Sequence, residues 1–197
     1  MTATCIALEG PDGVGKSTVA AAAEELLRKR APAAYSAVRI RHFPTDALVR
    51  CADDGGCRLK AEDYATDMGD WLSLRPEPGT LYILDRWALS TAVYASLRGE
   101  RIEGSTALAL DRLNRVPLTT FVLLPRDPAL LTDPDYGADN GTEDDYDPVA
   151  VSEAYRRVVE CARGSGALIP ITVDRARDTP GSVAAGIVER LTAMGAL

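Results

Sequence analysis

Lys16 and Ser17 close the run Gly10-Pro11-Asp12-Gly13-Val14-Gly15-Lys16-Ser17, which fits the spacing G-x-x-x-x-G-K-[ST]. Each residue type suits the holding of a polyphosphate. The glycines let backbone N–H groups turn toward phosphate oxygens. The Lys16 ammonium stands beside the β- and γ-phosphates, and the Ser17 hydroxyl can ligate Mg²⁺. Thr18 follows and extends the loop into a helix whose positive dipole end faces the same anion. ATP and Mg²⁺ are the ligands this chemistry implies. A second group, Asp85-Arg86-Trp87, closes another apolar run. Asp85 can hold Mg²⁺ through water, and the planar fork of Arg86 suits a phosphate. The plainer alternative for that pair is a surface ion pair capping a helix.

Residues so placed need a scaffold, and the chain alternates short apolar runs with helical patterns. The candidate strands are Thr4–Leu8, Ala37–Arg41, Thr80–Leu84, Thr119–Leu124 and Leu168–Val173. Their apolar character predicts strands buried on both faces. The candidate helices are Lys16–Arg30, Ala61–Leu74, Leu89–Arg98, Ser105–Arg115, Pro148–Arg163 and Pro180–Met194, with Pro148 and Pro180 in first turns. The alternation predicts an α/β fold, a three-layer P-loop NTPase architecture with a five-stranded parallel sheet flanked by helices on both faces. In such sheets ligands bind at the carboxyl ends of the strands. The phosphate loop, His42-Phe43-Pro44 and Asp85-Arg86 all follow strands there, so three motifs should converge on one crevice.

Composition bounds the function further. The length of 197 residues suits one domain, 1–197, with a mobile lid-like loop at about 127–147. A net charge of −7 argues against a polymeric nucleic acid partner, which would call for a basic footprint. No apolar run reaches the length of a membrane span, and no secretory signal precedes the first strand, so a cytoplasmic location is expected. Of the four cysteines, Cys5 and Cys161 read as small core residues. Cys51 and Cys57 fit no standard zinc spacing and read as free thiols, with a local redox bridge as the alternative.

Taken together, the motifs resemble the thymidylate kinases, which move the γ-phosphoryl of ATP onto dTMP. Glu9-Gly10-Pro11-Asp12-Gly13-Val14-Gly15-Lys16-Ser17-Thr18 is similar to the family's E-G-x-D-G-x-G-K-[ST]-T. Phe43-Pro44 resembles its F-P element. Asp85-Arg86-Trp87-Ala88-Leu89-Ser90-Thr91-Ala92-Val93-Tyr94 is similar to D-R-Y-x-x-S-x-x-A-Y. Pro117-Leu118-Thr119 resembles the P-D-L-T before the fourth strand, and Val173-Asp174 the I-D after the last. The resemblance implies that Asp12 lies near the acceptor phosphate and the sugar 3′-hydroxyl. It implies that Phe43 helps wall the acceptor pocket, that Arg86 holds the monophosphate, and that Asp85 orders the metal or that arginine. Thr91 would face the base, and Tyr94 would pack under the sugar. Core packing is the alternative for Phe43 and Tyr94. A homodimer is also implied.

The sequence departs from that pattern in three places. The family carries a catalytic arginine in the phosphate loop or the lid; here the loop has Gly13 and Val14, and no Lys, Arg or His stands between Asp127 and Tyr155. The family's E-R-Y-E lid motif aligns with Asp144-Asp145-Tyr146-Asp147, which puts Tyr146 near substrate and Asp145 where the arginine belongs. Arg126, Arg156 and Arg157 are the nearest replacements in sequence. The acidic run is either a solvated loop or a lid; it is not an EF-hand, because Ala138 replaces the required glycine and Asp144 the bidentate glutamate. Next, Gly69-Asp70-Trp71 aligns with the family's Asn-Arg-Trp, whose arginine reads the thymine carbonyl. Asp70 only accepts hydrogen bonds, so at the base it would suit an amine or hydroxyl, as in cytosine or a modified pyrimidine. The alternative leaves Asp70 in solvent. Finally, Phe43-Pro44 is followed by Thr45-Asp46, and Arg50 is the first base beyond it.

The leading expectation is a deoxynucleoside monophosphate kinase acting on dTMP or a related or modified pyrimidine deoxynucleotide. The alternatives are a kinase of a different nucleoside-like acceptor, or a nucleotide-binding protein with weak or lost turnover.

Overall fold

The computed structural model describes residues 4–30, 34–55, 59–74, 76–102, 104–114, 118–132, 146–162 and 168–197. Five strands form one parallel sheet: β1 (Thr4–Glu9), β2 (Ala37–His42), β3 (Thr80–Asp85), β4 (Leu118–Pro125) and β5 (Leu168–Val173), in the order β2-β3-β1-β4-β5. The expected strands are all present, several one residue longer. Burial on both faces holds for β1, β3 and most of β4. It fails at β2 and β5, where exposed and half-buried residues alternate, because these are the edges of the sheet.

Alternation along the strands divides the core. Ile6, Leu8, Leu81, Ile83, Phe121 and Leu123 point to one face, where they meet Val19, Ala20, Ala23 and Leu27 of α1 (Lys16–Arg30) and Val183, Ala184, Ile187 and Leu191 of α7 (Pro180–Ala193). Cys5, Ala7, Tyr82 and Leu84 point to the other, against α3 (Ala61–Ser73), the start of α4 (Ala88–Leu97) and α5 (Gly104–Asn114). Further along that second face, Val122 and Leu124 pack with α4 and α6 (Pro148–Cys161). This gives the three layers expected from the apolar alternation. Pro148 and Pro180 do open their helices, capped by Asp147 onto Val149 N at 3.0 Å and by Thr179 onto Ser182 N at 3.1 Å.

Two elements were not anticipated. Helix α2 (Asp46–Gly55) begins directly after Phe43-Pro44, with Thr45 accepting from Leu48 N at 3.4 Å. Pro128–Thr132 forms a 3-10 turn at the start of the lid-like segment. Residues 133–145 of that segment, including Asp144 and Asp145, lie outside the described residues, as do Pro117 and Cys57. Cys5 is buried as expected, whereas Cys161 is exposed, because it ends α6 beyond the face that packs on the sheet. No described helix is long and apolar enough to cross a membrane.

Candidate active site

The chain leaves β1 toward β2 and β3 on one side and reaches β4 on the other, so the crevice at the carboxyl ends of β1 and β3 is the switch point of the sheet. Leu8 pairs with Asp85 across it, and Arg86 N donates to Leu8 O at 3.1 Å. The expected convergence therefore occurs: phosphate loop, His42-Phe43-Pro44 and Asp85-Arg86 stand together.

The loop's conformation follows from its glycines. Gly10 has φ 141°, and a Cβ there would run into the Leu123 carbonyl oxygen of β4. Gly13 and Gly15 also have positive φ, 76° and 95°. Val14 between them is buried in the core beneath α1. Lys16 is only 6% exposed, and its Nζ donates to Gly10 O at 3.0 Å and Pro11 O at 2.9 Å. Burial pushes its ammonium down to about 8, against the pull of Asp85 and Glu9. Ser17 and Thr18 are exposed at the helix start.

Asp85, 5% exposed, gathers one side of the crevice. Its Oδ2 accepts from Ser17 Oγ at 2.5 Å and lies 3.0 Å from His42 Nδ1. A serine hydroxyl beside a carboxylate is a hard-oxygen donor set, which fits Mg²⁺. Among the described residues no group of three or more His, Cys, Asp or Glu could hold a metal alone.

The other side is built on Asp12. Its carboxylate pairs with Arg86, accepts from Tyr94 Oη at 2.7 Å and lies 3.7 Å from Lys16 Nζ. The Arg86 guanidinium also stands over the Tyr94 ring, 5.4 Å from its centroid. Arg86 has φ 74°, a conformation a non-glycine residue rarely adopts, and it turns the side chain into the crevice. Burial works against the charge of Arg86, but Tyr94, Tyr155 and Glu9 around it raise its pKa, so it stays a cation. Tyr146 stacks obliquely on Tyr94, ring centroids 6.3 Å apart. Thr91 is 4% exposed, and its hydroxyl is a buried polar atom with no hydrogen-bond partner among the described residues. A ligand group beside α4 would satisfy it.

Phe43 sits deeper than a pocket wall. It is buried edge-on against Trp71 and Trp87, 5.7 and 5.5 Å away. The Phe43–Pro44 peptide is cis. Asp70 is exposed on α3, and Arg50 is exposed on α2. The α3 carboxylate that reaches the Phe43-Pro44 turn is Asp67, which accepts from Thr45 N at 2.8 Å and Thr45 Oγ1 at 2.9 Å. Glu9 was quoted above only as part of a motif. It is fully buried and accepts from Trp87 N at 3.0 Å, from Ser90 N at 3.1 Å and from Ser90 Oγ, so it fixes the strand end to α4. The three arginines considered as replacements are engaged elsewhere: Arg126 with Asp174 at 2.8 Å, Arg156 with Pro125 O at 2.8 Å, and Arg157 with Glu153 at 3.6 Å.

A phosphate loop at the switch point of a 2-3-1-4-5 parallel sheet is the α/β P-loop architecture expected from the sequence. Within that class the chain has the thymidylate-kinase-like fold. No family model matches the sequence, and no curated protein matches it. Solved structures do match. A thymidylate kinase from Candida albicans with broad substrate specificity aligns over 98% of this chain and 93% of its own, with TM-score 0.66 and 15% identity. One from Ehrlichia chaffeensis aligns over 98% and 100%, with TM-score 0.65 and 18% identity. The YorR protein of Bacillus subtilis, solved in complex with phosphorylated GDP, aligns over 98% and 99%, with TM-score 0.60 and 20% identity.

Proposed function

We propose that this chain is an ATP-dependent deoxynucleoside monophosphate kinase acting on dTMP or a modified pyrimidine relative. The observation that carries the reading is the pairing of two halves in one crevice. Lys16, Ser17 and Asp85 suit a nucleoside triphosphate with its cation, and Asp12, Arg86 and Tyr94 suit a second, phosphorylated ligand. A guanidinium held beside a half-buried carboxylate is ready to exchange that partner for a phosphate.

The phosphate loop N–H groups, together with Lys16, hold the β- and γ-phosphates. Ser17, and Asp85 through water, would hold Mg²⁺, which would supply charge neutralisation at those phosphates. Arg86 orients the acceptor monophosphate, with Asp12 positioned near the sugar 3′-hydroxyl. Tyr94 packs under the sugar with Tyr146 beside it, Thr91 offers its hydroxyl to the base, and Phe43 backs the pocket. An acceptor phosphate oxygen then attacks the γ-phosphorus in line. The bond from that phosphorus to the bridging oxygen breaks, and ADP departs with the electron pair. No covalent enzyme intermediate is needed; orientation and electrostatics supply the rate.

One observation favours a second reading, a nucleotide binder with weak turnover: no cationic residue stands between Asp127 and Tyr155. A kinase of a neutral nucleoside is disfavoured, because Arg86 would have no anion to clamp. ADP release measured against a panel of nucleoside monophosphates separates these readings. Stimulation by pyrimidine deoxynucleotides is expected. No stimulation by any monophosphate, with ATP binding intact, overturns the kinase reading. A homodimer and a cytoplasmic location complete the proposal. The exposed Leu74, which caps the C-terminus of α3, and the exposed Leu108 of α5 are apolar groups such a dimer could cover, and light scattering of the purified chain tests it.

A further inference from the structure

We propose that Arg175 supplies the positive charge to the transferring phosphoryl group that the phosphate loop and the lid segment lack. This rests on the kinase reading above and names the residue that completes it.

The need comes from charge. The transferred group carries negative charge on three oxygens, and in enzymes of this chemistry an added guanidinium can be worth on the order of 10³-fold or more in rate. Lys16 is one cation at the loop. Arg86 faces the acceptor side through Asp12. Gly13 and Val14 offer no side-chain charge, and the stretch from Asp127 to Asp147 holds eight acids and no base.

Arg175 meets this need by position. It follows β5, two strands from β1, at the same carboxyl edge as the phosphate loop. Its Nη2 lies 3.9 Å from the point a Cβ would occupy on Gly13, beside Leu131 Cδ2 at 3.7 Å. That point is two bonds from the Gly13 N–H, one of the donors that the loop presents to phosphate. A phosphate oxygen accepting from that N–H would come within one side-chain rotation of the Arg175 guanidinium. The φ of 76° at Gly13 disfavours any residue with a Cβ, so the loop itself cannot cheaply place a side chain there. A side chain from the β5 loop fills the space instead.

The loop that bears Arg175 is fixed. Asp174 O accepts from Arg177 N at 2.9 Å and Asp178 N at 2.7 Å, and Asp174 N donates to Asp178 Oδ2 at 2.8 Å. The Asp174 carboxylate accepts from Ala176 N at 3.1 Å and from Arg126 at 2.8 Å. Such a turn holds the backbone of Arg175 in place, so only its side chain has to move and no lid arginine has to fold over the site for each turnover.

The test uses the full chain with Arg175→Ala, Arg175→Lys and, as a neighbour control, Arg177→Ala. Binding is titrated with ADP and with ADP plus beryllium fluoride, which stands in for the γ-phosphoryl, and turnover is measured with the best monophosphate from the panel. Arg175→Ala is expected to weaken ADP–beryllium fluoride by about tenfold while leaving ADP within about twofold. It should lower kcat by about 10²–10³-fold and raise KM for ATP by no more than the loss seen with ADP–beryllium fluoride. Lysine should restore only part, because it lacks the fork, and Arg177→Ala should match wild type. Equal weakening of ADP and ADP–beryllium fluoride with kcat intact would place Arg175 at the nucleoside end and overturn the proposal, as would no change in either titration. If wild type turns over no monophosphate yet the differential loss persists, the kinase reading fails while the Arg175–phosphoryl contact stands.

Discussion

Lys16 is a cation kept in a place that disfavours its charge. Its ammonium is buried and makes do with two loop carbonyls, Gly10 O and Pro11 O, and its pKa falls to about 8. Phosphates favour the charged form and would raise that pKa again, so nucleotide binding near pH 8 should take up a proton. ATP affinity is therefore expected to be flat below about pH 7 and to fall as pH rises past 8. Calorimetry at pH 8 in buffers of different ionisation enthalpy reads the uptake directly; zero uptake would contradict the assignment. Lys16→Ala should cut turnover by at least about 10²-fold. Asp70 poses a different residue-scale question. It is exposed on α3, three residues beyond the Asp67 that holds Thr45. A carboxylate there accepts, and an arginine donates, so Asp70→Arg is expected to shift acceptor preference toward dTMP. An unchanged acceptor ranking would remove Asp70 from the base site.

At the scale of the element, the phosphate loop depends on how closely β1 and β4 approach. Gly10 packs against the Leu123 carbonyl with φ 141°, a conformation essentially confined to glycine. Gly10→Ala should destabilise the fold by at least about 2 kcal/mol and lower ATP affinity with it; chemical denaturation with nucleotide titration checks both. The strands and six of the seven helices were legible because apolar runs and helical periodicity are local signals. Helix α2 was not, because Phe43-Pro44-Thr45-Asp46 reads locally as a turn, and the group that steadies it, Asp67, comes from another helix. The edge character of β2 and β5 follows from strand order, which composition does not encode. In the site, Lys16, Ser17, Asp85 and Arg86 were legible from motif spacing. The clasp of Asp12 by Arg86 and Tyr94, and the approach of Arg175 to Gly13, join segments far apart in the chain and needed the folded sheet.

One buried chain of polar groups joins the sheet to the helix layer of α4 and α6. Glu9 ends β1, holds the start of α4 through Trp87 N and Ser90, and Ser90 Oγ lies 2.8 Å from Tyr155 Oη on α6. It thus ties the phosphate-loop strand to the helix carrying Thr91 and Tyr94, and to the helix that follows the lid segment. Burial pushes Glu9 from 4.5 up to about 7, though the Ser90 hydrogen bonds, Arg86 and Lys16 pull it down, and burial also raises Tyr155 well above the usual phenol value. Between pH 4.5 and 7 the folded chain holds a proton on Glu9 that the unfolded chain has lost. This group's contribution to stability is therefore fully present below the unfolded pKa, declines as pH rises through that window, and is lost above about 7. Glu9→Gln stays neutral at every pH and can still accept from Trp87 N and Ser90 N. The variant should lose this downward slope, so that its thermal midpoint relative to wild type rises between pH 5 and pH 8. Thermal melts of both proteins across that range decide it: parallel curves would mean that Glu9 is already ionised in the fold, and that Lys16 and Arg86 outweigh the cost of burying it.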